Sequence, residues 1–352
     1  MQSNVLHIIG TRPNIPKFQP VWDALGKLSV KQAWVHTGQH NSETLFGSTS
    51  KALGLASPIA NLELSGLATP EFLSKAVTGI VQLVGKVNPK IIIVYGDVNS
   101  TLAGAFAASI CGVHLVHVES GLRSYETDLP EERIRKLVDA ISDTLITSLP
   151  SAFANLMTEG KDSASVFQCG NTMIDSLISH LNSPHGATGD NEVDLEMDYA
   201  LLTLHRGSNV DDLARLKQIM DQVDVLARKI DILFPVHPRT LKNLPVYKSI
   251  TTCEPLDYNS FINAMQGARF VLTDSGGIQE ESTYLGVPCY TLRASTERPE
   301  TITMGTNLLI GLNDIPGLSL RTHKVNSMKI PLWDGHAGSR VAKTISNLLS
   351  RL

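Results

Sequence analysis

Residues 91–120 read IIIVYGDVNSTLAGAFAASICGVHLVHVES. The stretch opens on five residues that can be buried from both sides. It crosses a run of small or helix-forming residues and closes on a second apolar run ending at Glu119. Continuous apolar strands suit a sheet covered on both faces, and a strand, a helix and another strand in succession suit a parallel one. The segment therefore predicts a βαβ unit, with Asp97 and Glu119 at the carboxyl ends of its two strands.

The same alternation extends in both directions. Strands are expected at Val5–Ile9, Gln32–Thr37, Lys90–Tyr95, His114–Glu119, Thr144–Ser148 and Val166–Cys169. A second series is expected at Leu201–His205, Ile232–His237, Thr251–Pro255, Arg269–Thr273, Pro288–Leu292 and Leu308–Ile310. Two such series in 352 residues predict an α/β protein of two Rossmann-like, doubly wound domains, at ~150 residues each. The expected division is 1–172 and 173–336, with the terminal helix 337–352 packing back on the first domain. The Gly/Ser/Asn/Pro-rich 182–191 reads as a surface loop.

The composition is 42% hydrophobic and 18% charged, which supports a packed core and argues against disorder. The formal net charge of −4 carries no basic footprint for nucleic acid. No run of ~20 apolar residues is present to cross a membrane, and the N-terminus MQSNVLHIIG does not resemble a secretory leader. Cys111, Cys169, Cys253 and Cys289 form no CxxC pair, so a metal or redox motif is not expected and a cytoplasmic setting is.

Ligands of open α/β sheets gather beyond the carboxyl ends of the strands. GTRPNIPK (10–17) places Arg12 and Lys17 there, as ligand cations or as solvated charges of a plain turn. Pro16 and Pro20 predict a bent segment rather than a straight helix. Asp97 either caps the following helix or faces a substrate. Glu119 ends an apolar strand, where a carboxylate needs a partner. In LPEERIRK, Pro130 suits a first helical position and Glu131 and Glu132 a first turn, so a helix start alone explains them.

In the second series His205 ends a strand before Arg206, and FPVHPRT places His237 and Arg239 similarly. LTDSGGIQEESTYLG (272–286) brings a strand to Asp274 and starts a helix at once. Ser275, Gly276 and Gly277 lie where backbone amides can meet a phosphate. Glu280 and Glu281 would repel that phosphate if they faced it, whereas one turned sideways could accept ribose hydroxyls. Arg293 and Arg298, with Glu297 and Glu300, follow on the next loop as a diphosphate clamp or a solvated charge run.

Taken in order, GTRPNIPK, TGQH, YGDVNSTLAGAFAA, HVESGLRS, PEERIR, GNTMID, TLHR, TDSGGIQEE and TERPE resemble the motifs of the non-hydrolysing UDP-N-acetylglucosamine 2-epimerases. The resemblance implies a GT-B fold with the UDP-sugar in an interdomain cleft. It implies Asp97, Glu119 and Glu131 as catalytic carboxylates and His205 as a functional histidine. Arg12, Lys17 and Arg135 match cations important for activity; Ser275, Gly276 and Gly277 a diphosphate cradle; Glu281 a ribose ligand; Arg298 a nucleotide contact. Arg123, His237 and Arg293 are further candidates for the ligand.

The implied reaction is reversible epimerisation at C2 through loss of UDP, a 2-acetamidoglucal and re-addition, without metal, nicotinamide or other cofactor, in a homodimer. Rivals are a 2-epimerase of a UDP-linked diacetamido-uronic acid, a hydrolysing relative releasing N-acetylmannosamine, a GT-B glycosyltransferase and a non-catalytic sensor. Asn14 stands where such proteins often carry Glu, and Pro16 where they carry an apolar residue. NLELSGLATPEF (61–72) lacks an arginine that some members use for a second, activating UDP-N-acetylglucosamine. Gln39 and His40 remain, but such activation is not expected here.

Overall fold

A computed structural model describes residues 3–39, 55–183, 198–320 and 329–352. The chain divides into two compact units, Met1–Ser179 with Pro331–Leu352, and His180–Ile330.

The first unit is built on β1 (Val5–Ile9), β2 (Gln32–His36), β3 (Ala60–Asn61), β4 (Ile91–Tyr95), β5 (His114–Ser120), β6 (Thr144–Thr147) and β7 (Val166–Gln168). They form one sheet in the order β3-β2-β1-β4-β5-β6-β7, and every pairing is parallel. The winding reverses between β1 and β4, where a doubly wound sheet opens a crevice for ligands.

All residues of β1 and β4 are buried, because helices cover both faces. Leu6, Ile8, Ile92 and Val94 face helices Thr69–Val87 and Asn99–Cys111. Val5, Ile9, Ile91 and Ile93 face Phe18, Val21 and Leu25 of helix Ile15–Lys27, and Val341, Ala342 and Ile345 of helix Ala337–Leu349. The alternation follows from the two-residue period of a strand. Each fully buried Leu, Ile or Phe contributes about 1.5–3 kcal/mol. The small residues of Asn99–Cys111 have a steric reason: a Cβ on Gly104 would lie 2.7 Å from Val94 Cγ1.

The second unit carries β8 (Tyr199–Thr203), β9 (Asp231–Pro235), β10 (Ile250–Cys253), β11 (Phe270–Thr273), β12 (Cys289–Thr291) and β13 (Asn307–Leu309). Their order is β10-β9-β8-β11-β12-β13, again all parallel, with the switch between β8 and β11. Two doubly wound sheets are what a GT-B fold requires.

Every expected strand is present within two residues of its expected bounds. The two-residue edge strand β3 had no apolar run to announce it. Pro16 and Pro20, expected to keep a straight helix from starting here, both lie within helix Ile15–Lys27. Pro16 sits in the first turn, where its missing N–H is not needed. Pro20 withholds an N–H from the Pro16 carbonyl, and Ser176 Oγ donates to that carbonyl instead, at 2.6 Å. The loop expected at 182–191 lies, from residue 184 onward, outside the described residues, as does His40. No helix among the described residues is long and apolar enough to cross a membrane.

Candidate functional site

In the first unit the carboxyl ends of β1, β4 and β5 collect the charged residues. Glu119 adopts φ +71°, a left-handed conformation that is costly for a residue with a side chain, about 1–3 kcal/mol. The β5–β6 register slips between Val118 and Ser120, so Glu119 leaves the ladder. Its buried carboxylate accepts from Lys17 Nζ through Oε2. Gly96, at φ +65°, makes room for this pair. A Cβ there would lie 3.1 Å from both Glu119 Oε2 and Lys17 Nζ.

Asp97, the next residue, does not cap helix Asn99–Cys111. Val98 is the N-cap, and the Ser100 N–H is taken by Gln39 Oε1 at 3.0 Å. Asp97 Oδ2 instead accepts from Arg135 Nη1 at 2.8 Å. Arg135 is buried and donates through Nη2 to Glu132 Oε2 at 2.9 Å.

Glu132, expected only as a helix-start residue, organises this region. It is buried and accepts the N–H groups of Ser124 and Tyr125 at 2.9 and 3.2 Å. Burial alone would raise its carboxyl; the Ser124 N–H and the Arg135 charge outweigh that and hold it below the usual carboxylate range. The three-residue spacing to Arg135 on one helix was the available sequence signal. Glu131, beside it in the first turn of Pro130–Ile141, is half-buried and makes no hydrogen bond or ion pair with the described residues. Arg12 is half-buried in the 3-10 turn Arg12–Asn14.

Arg123, considered for the ligand, is committed elsewhere. It is buried, with Nη1 2.7 Å from Asp139 Oδ2 and Nε and Nη2 each 2.7 Å from a Glu159 oxygen.

In the second unit His205 follows β8. Its Nδ1 lies 3.2 Å from Asp274 Oδ1, and its ring is 6.1 Å from that of His237. Asp274 is fully buried at the end of β11 and accepts from the His205 and Arg206 N–H groups and from Asn209 Nδ2. Burial would raise it; His205 and the surrounding donors hold it below its ordinary value. Asp274 thus orients His205, a role that strand-end position alone did not reveal. The His205 side chain is 44% exposed and open to a ligand.

Helix Gly276–Leu285 starts directly after this carboxylate. Ser275 is its N-cap but makes no side-chain cap bond, so first-turn amides point outward with the positive end of the helix. Gly276 was read as admitting a ligand to the backbone. The atoms pressing on it belong to the protein: a Cβ there would lie 2.5 Å from Arg298 Nη1 and 2.7 Å from Glu297 Oε1. Arg298 Nε lies 3.0 Å from Glu280 Oε1, and its Nη1 donates to Glu297. Arg293 Nη2 donates to Glu297 Oε2 at 2.7 Å. Arg298 is thereby fixed beside the helix start, and Arg293 holds its partner. Glu281 is buried one turn further on; burial first, then Glu281, push the Tyr258 phenol well above its ordinary value. Among the described residues no group of three His, Cys, Asp or Glu is placed to hold a metal ion.

Carboxylates held at strand ends can move protons, and a helix start beside a fixed arginine can hold a diphosphate. Residues 24–346 match the profile of the UDP-N-acetylglucosamine 2-epimerase family. The chain is 37% identical to the UDP-N-acetylglucosamine 2-epimerase of Methanocaldococcus jannaschii, over 96% of this chain and 98% of that one. It is 33% identical to the UDP-2,3-diacetamido-2,3-dideoxy-D-glucuronate 2-epimerase of Pseudomonas aeruginosa, over 98% and 99%. The crystal structure of the M. jannaschii UDP-GlcNAc 2-epimerase in complex with UDP-GlcNAc and UDP superposes with a TM-score of 0.90 at 35% identity, covering 97% of this chain and 99% of that one.

Proposed function

Because the chain belongs to the UDP-N-acetylglucosamine 2-epimerase family, we propose that it interconverts UDP-N-acetylglucosamine and UDP-N-acetylmannosamine. The first unit carries the acid–base chemistry and the second holds the nucleotide. The observation that carries this reading is Glu119, held off its strand in a left-handed conformation against Lys17, next to the Asp97–Arg135 pair. Strain of this kind persists where the surrounding structure enforces it, and it clusters at working sites.

The C2 hydrogen of a hexosamine is barely acidic, so a free carbanion is avoided. A carboxylate takes the C2 proton as the C1–O bond breaks, and the bonding pair leaves with UDP. The product is a 2-acetamidoglucal with a C1–C2 double bond. Re-addition delivers a proton to the other face of C2 while the UDP oxygen re-forms its bond to C1. Asp97, Glu119 and Glu131 supply base, acid and stabilisation of the positive charge developing at C1. Lys17, Arg135 and Arg12 set the field around them. The amides of Ser275, Gly276 and Gly277, with Arg298, hold the departing diphosphate, while His205 and Glu281 contact the nucleotide. Holding both fragments makes re-addition effectively unimolecular, a benefit of up to ~7–11 kcal/mol. No redox partner is required, since atoms and electrons balance within the substrate.

A second reading, 2-epimerisation of a UDP-diacetamido-glucuronate, is favoured by the Pseudomonas relative. Activation by a second substrate molecule is not part of the proposal, because 61–72 lacks the arginine that some family members use for it. A cytoplasmic homodimer is the setting the family resemblance implies.

The test is incubation with UDP-N-acetylglucosamine in deuterated water, followed by NMR. The expected result is the manno isomer with deuterium at C2. Free N-acetylmannosamine would indicate a hydrolysing enzyme. Turnover of the diacetamido-glucuronate alone would favour the second reading.

A further inference from the structure

His117 lies on β5, two residues before Glu119, and is fully buried. Its Nε2 is 2.8 Å from the carbonyl oxygen of Gly96, which can only accept, so Nε2 carries a proton. Its Nδ1 is 2.7 Å from Asp139 Oδ1. The other oxygen, Asp139 Oδ2, accepts the Gly121 N–H at 3.0 Å and lies 2.7 Å from Arg123 Nη1. Burial would raise Asp139; His117 and Arg123 more than offset it and hold the group low, as a carboxylate. With Nε2 donating to Gly96, one further proton lies between Nδ1 and Asp139 Oδ1 and ties the ring to the carboxylate.

We infer that His117 and Asp139 are positioning residues that fix Glu119 and Asp97 for proton transfer. Three contacts make the clamp. Residues 117 and 121 are both tied to one Asp139 carboxylate, so the tethers bracket Glu119 and keep it in its left-handed conformation. Through Nε2, His117 also pins the carbonyl of Gly96, the residue that precedes Asp97 and walls the Lys17–Glu119 pair. Asp139 belongs to helix Pro130–Ile141, so the clamp sets the helix bearing Glu131 and Arg135 against the same strand ends. Gly121 cannot carry a side chain in this arrangement, since a Cβ would lie 2.3 Å from the Ala152 carbonyl oxygen.

The inference rests on the roles proposed for Glu119 and Asp97, and its two measurements separate its failure from theirs. In protein labelled with [15N]histidine, NMR is expected to show a slowly exchanging proton on His117 Nε2, held by the Gly96 carbonyl. A freely exchanging or absent Nε2 proton overturns the clamp, whatever the enzyme turns over.

The second measurement compares Asp139→Asn and His117→Gln with the wild type for turnover and UDP affinity. Misplacement of the carboxylates by about 1 Å should lower kcat about 100-fold in Asp139→Asn, while the Kd for UDP stays within about twofold. His117→Gln, which keeps a donor for Gly96, should retain more activity than His117→Leu. Unchanged kcat, or kcat and UDP affinity lost in parallel, overturns the positioning role. Wild-type protein inactive on both UDP-sugars would overturn the proposed reaction instead, leaving the ring measurement to decide the clamp.

Discussion

The ends of β4 and β5 in the first unit and the end of β11 in the second solve the same problem in different ways. Around Glu119 the first unit works with side chains. Arg135, Glu132, Asp139 and His117 are buried and Lys17 part-buried, each matched to a partner, and Glu119 itself sits on strained backbone. After β11 the second unit works with backbone. A buried Asp274 collects N–H groups, a helix begins within two residues, and a glycine leaves space that Arg298 fills. Proton transfer needs groups whose charge and aim are set one by one, whereas a diphosphate needs only convergent donors. Damage to the first region should therefore appear in rate or stability, and damage to the second in affinity.

The largest effect is expected where a buried charge loses its match. Arg123→Leu takes the guanidinium from buried Asp139, which keeps His117 and the Gly121 N–H, and from part-exposed Glu159; loss of these charged hydrogen bonds should cost about 1.5–3 kcal/mol of unfolding free energy, read from urea midpoints. A loss below about 1 kcal/mol would mean that the first unit does not depend on matched charge.

The second unit is tested by Gly276→Ala. The new Cβ would displace Arg298 from Glu280 and Glu297. Arg298 would then miss the diphosphate it is proposed to hold; loss of one charged hydrogen bond to it costs about 1.5–3 kcal/mol, so calorimetry should show UDP binding tenfold to a hundredfold weaker. Unaltered affinity with lowered kcat would reverse the comparison.

The smallest effect concerns His7, a neutral ring in the core of the first unit, bonded to Tyr95 and Gln32 and lowered by burial to about 3. The unfolded chain takes up a proton below about pH 6.5, whereas the folded chain does so only near 3. Stability from this site is thus complete above pH 6.5 and declines as pH falls, by up to about 1.4 kcal/mol per unit. Between pH 7 and 5 the wild type should lose about 2 kcal/mol more than His7→Gln. Equal losses would remove His7 as the cause.

The two sheets were legible first through β4 and β11, nearly uninterrupted apolar runs followed by Gly96 and Asp274, and such runs survive only when both faces are covered. Helix Ile15–Lys27 was not legible through Pro20. The hydroxyl that satisfies its stranded carbonyl comes from Ser176, far along the chain. Glu131 and Glu132 look alike in sequence, yet Glu132 is matched on every side while Glu131 makes no hydrogen bond or ion pair with the described residues, a difference set by the turn at Ser124 and Tyr125. Arg123 looked available because Asp139 and Glu159, its partners, lie on later helical segments. The candidate residues came from the order of weak motifs. Which of them are engaged with other side chains came only from their contacts.

The division of labour is tested most directly by Glu119→Gln, in which C2–H exchange into solvent at saturating UDP-sugar is measured beside the Kd for UDP. The account predicts exchange lowered by about 10²–10⁴-fold, the usual span for loss of a positioned acid or base, with UDP bound as tightly as by the wild type. Exchange at the wild-type rate, or UDP affinity falling by the same factor, would contradict it.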